Sequence, residues 1–139
     1  MELNDVLEFM RSRSHGVVTT IKRDGRPQLS NISYRLGDDG VIRVSVTDGR
    51  AKTANLRRDP RVSLYAVGDD FWSYAVVEGQ ADISAVAASP DDDITDELVA
   101  LYRSLAGEHP DWDEYRAAMV ADRRVVLRIR PEHGYGMGV

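Results

Sequence analysis

The chain has 139 residues, 42% of them hydrophobic and 29% charged, with 5 Pro and no Cys. That composition describes a globular protein with one core, too short for a second independent domain, and we treat residues 1–139 as one unit. Without cysteine, disulfides, thiolate metal sites and cysteine nucleophiles are excluded, and the scattered His15, His109 and His133 show no metal-ligand spacing.

The net charge of −5 conceals an asymmetry. Residues 11–58 hold eleven Lys/Arg against four acids, a net +7, whereas residues 59–139 hold seven Arg against sixteen acids, a net −9. Cations concentrated in an otherwise acidic chain suit a small anionic ligand and argue against nucleic acid. No apolar run reaches the roughly 20 residues that cross a bilayer, and MELNDVLEFMRSR is amphipathic rather than signal-like, so the expectation is a cytoplasmic protein with no membrane partner.

In chain order, Leu3, Val6, Leu7 and Met10 repeat at helical spacing and predict a short amphipathic helix over 3–10. The β-branched run 15–22, the hairpin signal Asp24-Gly25 and the run 28–36 predict two paired strands. After the turn at 37–40, Ile42, Val44 and Val46 share one face of a third strand, with Arg43, Ser45 and Thr47 on the other. RAKTANLRRD predicts a short helix stopped before Pro60, and Arg61–Val67 a strand. FWSYAVVEGQADISA over 71–85 predicts a long strand bulged at Gly79. Pro90 and the acids 91–93 open a helix whose inner face is Ile94, Leu98, Leu101, Tyr102 and Leu105, ending at Gly107. Asp111 and Glu114 begin another, with Trp112, Tyr115 and Met119 inward. Arg124–Arg130 predicts the last strand, and HGYGMGV a flexible or cofactor-covering tail. Short antiparallel strands with late helices indicate a mainly β fold, a small β-barrel with flanking helices.

Phosphate-loop, dinucleotide-binding, serine-hydrolase and zincin motifs are absent, so any catalysis falls to a cofactor. Ser45 and Thr47 lead directly into Arg50-Ala51-Lys52-Thr53 at a helix start, where hydroxyls, cations and unpaired N–H groups could grip a phosphate; spacing alone equally allows a solvated basic helix. Gln28, Ser30 and Asn31 offer polar groups on a neighbouring strand to the rim of a heteroaromatic ring or simply to water. Trp72 and Tyr74 alternate on one strand face, as core or as the wall of a flat ring.

Taken together, DGRPQLSNISY, VSVTDGRAKTANLRRDPRVSL, WSYAVVEG, LYRSLAGEHPDWDEYRAAMVADRRVVL and HGYG resemble the pyridoxamine 5′-phosphate oxidase-like split β-barrel family, FMN-binding in type, and within it a small actinobacterial branch that uses coenzyme F420, a deazaflavin. The resemblance implies a six-stranded antiparallel Greek-key split barrel, homodimeric, with cofactor sites between subunits. It implies that Ser45, Thr47, Arg50 and Lys52 hold the cofactor phosphate and the start of its acidic tail. Gln28 and Asn31 lie near the ring, Arg124 meets the tail, and Trp72 and Tyr74 reach the site from the neighbouring subunit. The implied function is a coenzyme F420-dependent oxidoreductase, a reductase passing hydride to a conjugated organic substrate, with the proton coming from solvent or a nearby hydroxyl such as Tyr74; the alternatives are an FMN-dependent pyridoxamine-phosphate-oxidase-like enzyme and a non-catalytic cofactor-binding protein.

Overall fold

The computed structural model describes residues 2–139, and among them the alternating segments build one curled antiparallel sheet of seven strands. These are β1 (His15–Ile21), β2 (Pro27–Ser33), β3 (Arg35–Leu36), β4 (Ile42–Thr47), β5 (Arg61–Val67), β6 (Tyr74–Ile83) and β7 (Arg124–Met137). The helices α1 (Leu3–Arg11), α2 (Ala51–Arg58), α3 (Asp93–Ala106) and α4 (Trp112–Ala121) flank it.

The strand order β2-β1-β5-β6-β7-β4-β3 places two consecutive strands at opposite edges. Because only Tyr34 joins β2 to β3, the sheet must curl until its edges meet, and a half-barrel results. Tyr34 explains why the run 28–36, expected as one strand, is interrupted and six strands become seven. Its N–H donates to the Ser14 carbonyl at 2.8 Å instead of a ladder partner. Its buried ring points inward, and its hydroxyl donates to the Met10 carbonyl at 2.9 Å. Burial pushes that phenol up to about 12.

Alternation fills the barrel. Val18, Ile42, Val44, Leu64, Val77, Val125, Leu127 and Ile129 are buried, and α1 seals one end with Val6 and Met10. On β4 this leaves Arg43, Ser45 and Thr47 half-buried on the outer face, as expected. Outside the sheet, α3 and α4 cover Val126 and Ala87 with Leu98 and Met119. The Asp92 carboxylate caps α3 by accepting from the Thr95 N–H at 2.8 Å, and the Asp111 carboxylate caps α4 by accepting from the Glu114 N–H at 3.1 Å. Glu97 fastens α3 to the sheet by accepting from Arg128 at 2.6 Å and from Arg43 at 2.9 Å.

The bulge expected at Gly79 is present: β6 slips register against β7 between Glu78 and Gly79, and a Cβ on Gly79 would lie 2.1 Å from the Arg130 carbonyl oxygen. Two expectations fail nearby. The strand expected from residue 71 begins only at Tyr74, because Asp70 accepts from the Ser73 N–H and hydroxyl, both at 2.8 Å, and Phe71 takes φ +70°. The tail expected to be flexible or cofactor-covering is not loose over residues 133–137, which form the end of β7 and pair with β6 out to Tyr74 opposite Met137; Gly134 lets α1 approach, since a Cβ there would sit 3.0 Å from Val6.

Candidate functional site

The sheet's edges approach between β2 and β4, and there a groove of about 570 Å3 opens. One wall is β2, with Gln28, Ser30, Asn31 and Ser33; the other is the outer face of β4, with Ser45 and Thr47. The start of α2 closes one end with Arg50, Ala51 and Lys52. Arg124 enters because β7 pairs with β4 in a register that sets it opposite Thr47, and Leu105 of α3 forms part of the rim. The groove thus collects Gln28, Asn31, Ser45, Thr47, Arg50, Lys52 and Arg124 from the sequence-derived set.

Hydrogen bonds organise the β4–α2 corner. Arg50 Nε donates to Thr47 Oγ1 at 3.0 Å, and the buried Thr53 hydroxyl donates to the Thr47 carbonyl at 2.9 Å. Arg50 is itself the N-cap of α2 and its side chain accepts nothing, so the N–H groups of the first turn lack a side-chain cap, and no acid occupies that turn. Asp48, the nearest acid in sequence, faces Arg57 at 2.5 Å and Arg123 at 3.3 Å instead.

The remaining charge is therefore positive. Among the described residues Arg50 and Lys52 have no carboxylate partner, and Arg124 meets Asp122 only at 3.8 Å while its buried Nε lacks a hydrogen bond. Burial first, then the neighbouring charges of Arg50 and Arg124, lowers the pKa of Lys52 below the usual lysine value. Converging cations that repel one another in the free protein are what an anion would neutralise.

Gln28 is anchored from behind: its Oε1 accepts from Asn55 Nδ2 at 2.7 Å. Asn55 escaped the sequence reading, although an asparagine inside a short helix, where its propensity is poor, was the available signal. Leu105 was legible only as part of the inner face of α3. A second cavity of about 420 Å3 adjoins the groove, sharing Ser33, Ser45, Leu105 and Arg124, and is walled by Tyr102, Tyr115 and Met119.

Trp72 and Tyr74 do not join this groove. Trp72, expected on a strand face, lies in the β5–β6 turn, 74% exposed, edge-on to Phe71 at 5.0 Å. Tyr74 starts β6 and stacks on Tyr65 at 5.7 Å, away from the groove in the same chain. No group of His, Asp and Glu among the described residues could hold a metal ion, and no helix is long and apolar enough to cross a membrane.

Residues 4–138 match the model of the family described as pyridoxamine 5′-phosphate oxidase. Among solved structures, that of the conserved hypothetical protein Rv2991 from Mycobacterium tuberculosis superposes with a TM-score of 0.74 at 25% identity, covering 98% of this chain and 84% of that one. A protein named F420 reductase gives 0.71 at 24% identity over 92% of this chain and 94% of its own. HutZ, a heme storage protein from Vibrio cholerae, gives 0.69 at 18% identity over 98% and 95%.

Proposed function

The chain belongs to the pyridoxamine 5′-phosphate oxidase family, and from that premise we propose that it is a coenzyme F420-dependent reductase working as a homodimer. The carrying observation is the groove between β2 and β4, where Arg50, Lys52 and Arg124 converge with little or no carboxylate compensation beside the hydroxyls of Ser45 and Thr47. Those groups fit a phosphate followed by further carboxylates, because the uncapped first turn of α2 and the unpartnered Arg124 Nε both want an acceptor. Coenzyme F420 carries a phosphate and a polyglutamate tail, more negative charge than FMN, and the +7 segment matches it. A solved structure of the same fold named F420 reductase agrees with this choice.

When bound, the reduced deazaflavin would supply a hydride from its ring carbon to a conjugated organic substrate. The chain's own work is positional. Arg50 and Lys52 hold the phosphate, Ser45 and Thr47 fix the tether, Arg124 takes the tail, and Gln28 and Asn31 orient the ring edge. The adjoining cavity walled by Tyr102, Tyr115 and Met119 offers a largely apolar place for the substrate beside the groove.

Dimerisation is supported by apolar surface that one chain leaves uncovered. Leu29 on β2 is 62% exposed, and Val67, Phe71, Trp72 and Met137 are exposed around one end of β5–β7. A second copy would cover them and bring Trp72 and Tyr74, the latter as candidate proton donor, to its partner's groove. Titrating protein from a host that makes no F420 tests the proposal: F420 is expected to bind below about 10 μM and more tightly than FMN, and failure of both below roughly 100 μM overturns it. FMN binding alone would reassign the cofactor, and tight F420 binding without turnover of quinones, enones or tetrapyrroles would make the protein a carrier.

A further inference from the structure

We propose that Arg58 and Asn55 are positioning residues that fix the hydrogen-bond polarity of Gln28, so that the groove always presents a donor there. This rests on reading the groove as a ring-binding site. A free glutamine can offer either its carbonyl or its amino end, and the two are nearly equal in shape. Here the choice is made two residues away. A guanidinium can only donate, and Arg58 Nη2 donates to Asn55 Oδ1 at 3.0 Å while also donating to the Ile21 carbonyl at 2.7 Å. Asn55, 7% exposed within α2, must therefore turn its amino end the other way. That end donates to the buried Thr20 hydroxyl at 3.1 Å and to Gln28 Oε1 at 2.7 Å.

With one lone pair of its oxygen taken by Asn55 and that end of the amide held toward α2, Gln28 is left to turn its Nε2 end to the groove. Rotating the Gln28 amide would set one amino group against another and leave buried N–H groups unpaired, a cost that a solvated glutamine never meets. Neither Asn55 nor Arg58 lines the groove, so both act through Gln28. The ligand class follows: at this position a ring edge carrying an acceptor, a carbonyl oxygen or an unprotonated ring nitrogen, is favoured, and an edge with N–H there is disfavoured.

Two measurements decide it. In NMR of the ligand-free protein, the Asn55 side-chain N–H protons should be protected from exchange and those of Gln28 should exchange freely; protected Gln28 protons with exposed Asn55 protons would overturn the relay. In binding, Asn55→Asp keeps the Arg58 contact but accepts from Gln28, turning the glutamine oxygen into the groove. F420 affinity should fall at least tenfold in the wild-type background and less than twofold when Gln28→Ala is already present. Equal losses in both backgrounds would mean that Asn55 merely supports α2, and the relay falls. If the wild-type protein binds neither F420 nor FMN, the ring reading fails by itself, and the exchange pattern still decides the relay.

Discussion

Replacing Lys52 by Met should move stability and binding in opposite directions. In the free protein Lys52 is partly buried beside Arg50 and Arg124, and its pKa is lowered first by that burial and then by the two neighbouring charges. Each like-charge neighbour at a solvated site costs roughly 0.2–0.5 kcal/mol, so relief from both, with the methylene stem retained, should stabilise the fold by about 0.5–1 kcal/mol. For a chain of 139 residues that is a rise in Tm of roughly 1–4 °C. Binding should weaken instead, since one charge-assisted hydrogen bond to a phosphate is worth about 1.5–3 kcal/mol, roughly 10- to 150-fold in Kd. Calorimetric melting of free Lys52→Met, with titration of F420 at low and high salt, reads both quantities, and the Kd ratio should shrink as salt rises. A lower Tm with unchanged affinity would refute the reasoning, because Lys52 would then be a structural residue. The pH dependence has a definite sign: ligand binding favours the charged amine, so affinity is full below the folded-state pKa of Lys52 and declines as pH rises through it, a window below the ordinary 10.5.

Gly79→Ala should cost about 2 kcal/mol or more, because a Cβ there meets a backbone carbonyl at 2.1 Å; Gly49→Ala, with nothing within 4 Å, should stay within about 0.5 kcal/mol, and equal urea midpoints for the two would contradict this. Trp72→Glu should convert a dimer to a monomer in sedimentation, and an unchanged mass would remove the β5–β6 turn from the interface. Arg43 holds Asp39 at about 2, and Arg128 and then Arg43 hold Glu97 below its usual range. Their stabilisation is present above the unfolded carboxylate pKa and is lost as pH falls toward 2, so Arg43→Gln should show a flatter loss of stability between pH 4 and 2 than wild type.

Much of this fold was legible because period-two alternation survives wherever only one sheet face is buried, as on β4 with Ile42, Val44 and Val46. Turn chemistry was legible too: Gly25 and Gly107 take positive φ where a hairpin and a helix end were expected. The break at Tyr34 was not, because it depends on a carbonyl of Ser14 and on a ring entering the core, both set by tertiary structure. Trp72 was misplaced for a related reason. Alternation cannot distinguish a strand from a turn whose geometry is held by the Asp70 side chain. The cation-rich end of the groove was visible as RAKT after a polar strand face, whereas Asn55 behind Gln28 required knowing that α2 packs against β1 and β2.

The meeting of β2 with the far edge of the sheet has a mechanical consequence. Nothing zips these margins together by main-chain pairing; a bend at one tyrosine and a handful of contacts hold them. A molecule lodged along the gap would therefore splint the half-barrel, and its departure would free the edge strand β2 first. Amide exchange along residues 27–33 should consequently slow on loading more than exchange anywhere in β5 or β6, making occupancy readable as local stiffness.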